Sequence, residues 1–229
     1  MLYKGNMYSL STALLNRSSE PGKYLEPYDL LLRFGILAPA VMAAIILVMG
    51  FITPEYDPIK DTISLMGASM QPYSVILNTA YIVYGTLLLS LVFYYRGLFS
   101  VNSIGRWMLA LLLVHAAGSI CLALFPDQPD NFVNSRANNT IHNVISGFVY
   151  VSLLQGILSF SFLQLKNRAP RLIWLTGILV FGINLIMPFI NYIDPLKNVA
   201  GLMQRLLTFV SYYWIATVCY SIRRKYSTR

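Results

Sequence analysis

Six apolar stretches, each about as long as a bilayer is thick, constrain this chain more than any other feature. A hydrocarbon core of about 30 Å needs about 20 apolar residues in helical form, because lipid offers no partners for unpaired backbone groups. Hydrophobic residues make up 56% of the chain and charged residues 11%, which argues against a soluble fold. The sequence predicts an all-α integral membrane protein, a bundle of six transmembrane helices at residues 30–52, 73–95, 107–125, 141–163, 172–193 and 202–222.

These spans divide the chain into one membrane domain and two tails. Residues 1–29 contain no uninterrupted apolar core and are predicted to form a flexible cytoplasmic tail. They also lack a signal-peptide pattern, so we expect the first span to insert without cleavage. Residues 30–222 form the predicted transmembrane domain, and residues 223–229 form a basic cytoplasmic tail.

The distribution of cations predicts the orientation. Short loops rich in Lys and Arg stay in the cytoplasm. The predicted spans place 13 of the 17 lysine and arginine residues on the side of the membrane that holds both tails. The other side has the remaining 4, which are Lys60, Arg136, Lys197 and Arg205. We therefore expect a cell-membrane protein with both termini in the cytoplasm. A membrane potential and anionic lipids account for the net charge of +8, so membrane lipids are the predicted partners and nucleic acid is not. The oligomeric state stays open.

The loop between the first two spans carries the most distinctive polar stretch, residues 56–67. Its Asp57-Pro58 pair is a good helix start, because the carboxylate can cap free N–H groups while proline at the first helical position loses no hydrogen bond. We therefore predict a short extracytoplasmic surface helix in this first outer loop.

Polar residues gather at the outer ends of the predicted spans. His142 opens the fourth span and is the candidate acid or base, because histidine titrates near neutral pH and a neighbouring carboxylate can orient its ring. The candidate catalytic partners are Asp57, Asp61 and Asp127. Acids in the first and third outer loops lead us to expect that both loops converge on the start of the fourth span. The alternative is that His142 caps its own helix or ties down the Asp127 loop.

Polar stripes descend from this cluster along five of the six spans. A polar group in hydrocarbon costs up to several kcal/mol if unpaired, so these groups must share partners or water. A water-accessible outer cavity and a closed hydrogen-bonded core both satisfy that requirement. The candidate ligand-binding residues are Ser64, Asn78, His115, Asn143, Ser146, Asn191 and Arg205.

No cofactor is predicted. Zinc sites usually take three protein ligands, and this chain has two histidines, each alone on its own span. A mixed metal site of His142 with two of the candidate acids stays an open alternative. His115 and His142 lie about 15 Å apart in depth by helix rise, so they do not share one haem iron. The chain contains no nucleotide-binding loop, nucleophile elbow or paired-cysteine motif.

Four short motifs carry a family resemblance. They are Tyr56-Asp57-Pro58, Asp61-x-Ile63-Ser64-x-x-Gly67, Phe125-Pro126-Asp127 and Ile141-His142-Asn143, in that order. Together they resemble the bacterial and archaeal membrane family known as domain of unknown function 998, over residues 30–222. Phe125-Pro126-Asp127 lacks the spacer residue that the family pattern has before its acid. The resemblance implies six spans and an outer set of polar motifs, and no particular activity.

Several functions fit these features. The leading interpretation is a multi-pass membrane protein whose outward-facing polar site binds a small ligand or a lipid headgroup. A membrane-embedded hydrolase or transferase acting on a lipid would use His142 as acid or base. A small-solute transporter would use Asn78, His115 and Asn184 as its path, and an accessory subunit of a membrane complex would use the stripes as helix contacts. A half-depth outer cavity favours the enzyme, a continuous polar route favours transport, and a dry core favours the accessory role.

The orientation gives the first testable prediction. Cysteines introduced by Lys60→Cys, Asp130→Cys or Lys197→Cys should label with an impermeant maleimide in intact cells, because these positions lie on predicted outer loops. Arg168→Cys should stay unlabelled. The parent protein is the control, since Cys121 and Cys219 both fall inside predicted spans. Labelling at Arg168→Cys alone would reverse the orientation.

Overall fold

The fold, given by a computed structural model, is described for residues 26–99, 103–128, 135–166, 171–185 and 198–227. Within these ranges the chain is helical and contains no strand, which confirms the predicted all-α class. The six α-helices are α1 (Glu26–Ile52), α2 (Ser74–Phe99), α3 (Ser103–Leu124), α4 (Ser135–Lys166), α5 (Arg171–Asn184) and α6 (Ala200–Ser227), and a short 3-10 helix (Ile63–Gly67) lies between α1 and α2.

Four of the described helices are long and apolar enough to cross a membrane. They contain the candidate spans Arg33–Ile52, Ser74–Phe93, Ser103–Leu124 and Arg136–Lys166. Helix α5 is apolar but has 14 residues, and the rest of the fifth predicted span lies outside the described residues. Helix α6 is long but less apolar, because it contains Gln204 and Arg205 near its start and Arg223, Arg224 and Lys225 near its end. The described chain thus supports a multi-pass membrane protein.

The helices pack in chain order and the last returns to the first. Helix α2 contacts α1 and α3, α4 contacts α3 and α5, and α6 contacts α1 and α5. Small residues allow close approach: a Cβ at Gly35 on α1 would come within 2.6 Å of the Cys219 sulfur on α6. The outer surfaces carry large apolar side chains, of which Phe51, Val75 and Leu172 are among the most exposed, as expected for helices that face lipid.

The first outer loop folds inward onto the bundle. It begins with a turn in which Oδ1 of Asp57 accepts the N–H of Ile59 at 2.9 Å and Oδ2 of Asp61 accepts the N–H of Asp57 at 2.8 Å. The 3-10 helix follows this turn, and its Ile63 and Met66 are 3% and 0% exposed. The predicted helix start at Asp57-Pro58 is instead this turn, and the short helix begins at Ile63, where Ile63 and Met66 pack against the bundle.

Arg205 on α6 holds this loop. Its side chain is 5% exposed, and its guanidinium lies 5.2 Å from the ring centroid of Tyr56. Nη2 donates to the Tyr56 hydroxyl, and Nη1 donates to the carbonyl oxygens of Pro58 at 2.8 Å, Asp61 at 3.0 Å and Gly201 at 3.0 Å. Arg205 is a predicted ligand-binding residue, and in the structure its guanidinium contacts the chain itself.

The first turn of α6 also bonds to this loop through its backbone. The N–H groups at a helix start have no partners within the helix. Here Gly201 N–H donates to the Lys60 carbonyl at 3.2 Å, and Leu202 N–H donates to the Ile59 carbonyl at 2.9 Å. The approach is so close that a Cβ at Gly201 would overlap the carbonyl of Asp61. Glycine is therefore required for this contact.

This contact predicts the effect of adding one methyl group. Gly201→Ala should push the first loop off α6 and destabilise the protein by about 1–3 kcal/mol, as overpacking typically does. Thermal unfolding of purified protein measures the change. The matched control is Gly147→Ala on α4, where an added Cβ meets no atom within 4 Å. Equal melting temperatures for the two variants would contradict the contact.

Candidate functional site

The first outer loop meets the third outer loop at one end of the bundle. Ser64 Oγ lies 3.4 Å from Asp127 Oδ2, and Gln128 Nε2 donates to Ser69 Oγ at 2.6 Å. We call Ser64, Ser69, Asp127, Gln128 and His142 the outer junction, after the side of the membrane on which the predicted orientation places it. The third loop is in turn joined to the start of α4 through the contacts described next.

The start of α4 pairs with the backbone of the third loop. Asn139 Oδ1 accepts the N–H of Gln128 at 2.8 Å, and Asn139 Nδ2 donates to the Gln128 carbonyl at 2.7 Å. Asn138 Nδ2 donates to the Pro126 carbonyl. The amide side chains thus supply the partners that an irregular loop backbone lacks. They leave the carboxylate of Asp127 and the side chain of Gln128 facing the first loop.

His142 contacts the backbone of the third loop. Its ring is buried, and Nδ1 lies 2.8 Å from the carbonyl oxygen of Phe125. A carbonyl only accepts, so Nδ1 carries the proton in this contact. This geometry matches the alternative in which His142 ties down the Asp127 loop, and it leaves Nε2 as the ring atom for any acid or base role.

The other two candidate acids belong to the first loop and its contact with α6. The backbone N–H of Ile59 lowers the pKa of Asp57, aided by Lys60, whose Nζ lies 3.6 Å from Asp57 Oδ2. Asp61 accepts from Asp57 N–H through its side chain and from Arg205 through its carbonyl. Asp57 and Asp61 thus make their contacts within the first loop and with α6. These contacts fix the shape of the turn.

The deeper candidates use their polar groups within the bundle. Asn78 Nδ2 donates to the Gly67 carbonyl at 3.0 Å and so ties α2 to the end of the 3-10 helix. His115 is buried, with Nε2 3.0 Å from the Tyr84 hydroxyl and Nδ1 2.9 Å from the Val149 carbonyl. The ring of Tyr84 lies 5.2 Å from that of Tyr212 on α6. Both ring nitrogens of His115 are therefore paired within the bundle, and the ring also lines a small, mostly apolar cavity of about 60 Å³.

The remaining candidates are placed as follows. Asn143 is exposed and Ser146 is half-buried on α4, and Asn191 lies outside the described residues. Among the residues that the structure describes, no three His, Cys, Asp or Glu side chains are grouped to hold a metal ion. Sequence reasoning missed Ser69, Gln128 and Tyr84. Tyr84 follows Tyr81 by three residues on the polar face of α2, so its spacing was a usable signal.

The His142 contact gives a prediction about stability. His142→Ala should leave the half-buried Phe125 carbonyl without this donor and cost about 1–3 kcal/mol of unfolding free energy. His142→Asn keeps an N–H donor and should unfold close to the parent temperature. If both variants lose stability equally, the hydrogen bond is not what His142 contributes. If His142→Asn binds ligand as the parent does at every pH between about 5 and 8, where histidine titrates, an acid or base role is excluded.

The comparison with known proteins covers most of the chain. A family model described as protein of unknown function (DUF998) matches residues 36–221, which include the whole outer junction. No functionally curated protein and no solved structure matches the chain. The motifs around Asp57, Ser64, Asp127 and His142 fall inside the matched region and belong to the loops that the structure brings together. The chain therefore belongs to the DUF998 protein family.

Proposed function

We propose that this is a cell-membrane protein that crosses the bilayer six times, has both termini in the cytoplasm, and binds a lipid headgroup or small polar ligand at its outer junction. Four candidate spans support the multi-pass arrangement, and α6, with 28 residues, is long enough for a further crossing. The uneven distribution of cations supports the orientation.

The observation that carries the ligand proposal is the meeting of Ser64 and Asp127. Their 3.4 Å separation is at the long end of hydrogen-bond geometry, and both side chains are partly accessible. A carboxylate offers about four acceptor positions. Asp127 uses Oδ1 for the N–H of Gln128 at 3.1 Å, and within the described chain it forms no ion pair. The group accordingly has acceptor capacity for an incoming ammonium or hydroxyl.

Gln128 adds a second polar group at the same place. Its amide bonds to Ser69 through one atom, while its Oε1 is buried with no partner among the described residues. Exchanging the amide oxygen and nitrogen does not change this conclusion, because either assignment leaves one polar atom unpaired. Buried polar groups are normally paired, so an unpaired one beside a carboxylate supports a ligand that completes it. We therefore favour a headgroup with donors, such as ethanolamine.

A second function, that of an accessory subunit, is favoured by the middle of the bundle. Both ring nitrogens of His115 are bonded within the protein, and Asn78 is bonded to the 3-10 helix. These are contacts that hold helices together. They support a role in which the bundle is a fixed scaffold and binding takes place at its outer end, in preference to passage of a solute along the polar stripes.

The proposed ligand class gives a prediction for Asp127. Asp127→Asn should lower the retention of phosphatidylethanolamine by about tenfold, because a charge-assisted hydrogen bond contributes about 1.5–3 kcal/mol and 1.4 kcal/mol corresponds to tenfold. Native mass spectrometry of the purified protein, with phosphatidylcholine as the competing lipid, measures this retention.

Asp57→Asn is the matched control for this experiment. It makes the same chemical change on the same side of the protein, in a turn that contacts α6 and not the outer junction. It should keep the preference of the parent. Equal retention by the parent and by Asp127→Asn would rule out a headgroup site at Asp127.

A further inference from the structure

A groove lies between the start of α3 and the end of α4. It has a volume of about 590 Å³, within the range of ligand pockets. Ser103 and Trp107 line it from α3, and Ser159, Phe162 and Lys166 line it from α4. Because α4 begins at the outer junction and ends here, the groove belongs to the opposite end of that helix. None of the residues that line it belongs to the outer junction.

The groove is apolar along its length and cationic at its rim. Trp107 is 58% exposed and Phe162 is also exposed, so the walls face the hydrocarbon. Lys166 lies seven residues beyond Ser159, which places the cation about 10 Å along the helix from the inner part of the groove. Tryptophan and lysine are the residues that typically mark the boundary between hydrocarbon and headgroups.

Two polar side chains in this groove have no partner in the described part of the chain. Lys166 is exposed and forms no ion pair there. Ser159 is 9% exposed, yet its hydroxyl makes no hydrogen bond with the described residues. Ser161, two residues later, follows the usual helical pattern and donates to the Ile157 carbonyl at 2.8 Å. A hydroxyl that lines a groove and is not used by its own helix can donate to a ligand oxygen.

The charge around the groove selects the sign of the ligand. Arg106 directly precedes Trp107 on α3, and Arg171 follows Lys166 by five residues. These three cations are exposed. Ser103 lies at the start of α3, where the free N–H groups and the helix dipole also favour an anion. Cations at a membrane surface attract anionic lipids by about 1 kcal/mol each.

From these observations we propose that the groove binds one anionic phospholipid. The phosphate lies between Lys166 and the start of α3, an ester oxygen accepts from Ser159, and an acyl chain runs along Trp107 and Phe162. This site is separate from the outer junction in place and in chemistry, since it offers donors and a cation where the outer junction offers acceptors.

The test measures lipid retention by the full-length protein. The parent and each variant are reconstituted in nanodiscs of phosphatidylcholine and phosphatidylglycerol, extracted, and analysed by native mass spectrometry. Lys166→Gln should lower retention of phosphatidylglycerol about fivefold, the loss expected for one cation at the membrane surface, and leave phosphatidylcholine unchanged. Ser159→Ala and Phe162→Ala should lower it as well. The melting temperature of each variant is measured to verify folding.

Arg96→Gln is the matched control, because it removes an exposed cation outside the groove. It should keep the phosphatidylglycerol preference of the parent. Equal losses of phosphatidylglycerol in Lys166→Gln and Arg96→Gln would indicate diffuse attraction to the surface and would contradict a binding site in the groove. Full retention of phosphatidylglycerol in Lys166→Gln would contradict it as well. Displacement of the lipid by inorganic phosphate, or full retention in Phe162→Ala, would overturn the assignment of a whole lipid as the occupant.

Discussion

The outer end of this protein depends on one buried guanidinium. Arg205 donates to three backbone carbonyls and to the hydroxyl of Tyr56, so neutral oxygens surround its charge. Burial raises the pKa of Tyr56, although the hydrogen bond from Arg205 acts in the opposite direction. The phenol therefore stays protonated near neutral pH and donates to the carbonyls of Asp61 and Thr62, each at 2.9 Å. These contacts turn a polar loop into a packed element, and the 3-10 helix that carries Ser64 follows directly from it.

The need to pair backbone polar groups explains the other polar contacts around the loops. Near a membrane, a backbone group without a partner is costly, so side chains take over where helices end. Asn78, Asn139 and His142 each bond to a backbone carbonyl, and these bonds connect α2, α4 and the two outer loops. Asp127 differs from them, because its Oδ2 faces a serine hydroxyl at 3.4 Å. Asp127 is thus an acid whose capacity to accept hydrogen bonds is not fully used within the described chain.

The two ends of α4 offer opposite chemistry to a membrane. The outer junction presents a carboxylate, an amide and hydroxyls, whereas the groove at the other end presents a lysine, a serine and the start of α3. Between these ends, His115 is hydrogen-bonded to the Tyr84 hydroxyl and to the Val149 carbonyl on α4. The paired His115 and the two different polar ends fit the proposal of one headgroup site at each end of the bundle. Transport would require the middle to open.

The amino-acid sequence by itself determined the class of this protein, because the length and apolarity of a span are local properties that a bilayer selects. It also identified the loops that meet, since alternating helices return acids and His142 to one end, and the family motifs lie in those loops. Only the tertiary structure decided which atoms are partners. Arg205 bonds to Tyr56, 149 residues away, and His142 bonds to a carbonyl and not to a carboxylate. Such choices depend on distances of a few tenths of an ångström and on the folding of the first loop onto α6, and neither composition nor residue spacing contains that information.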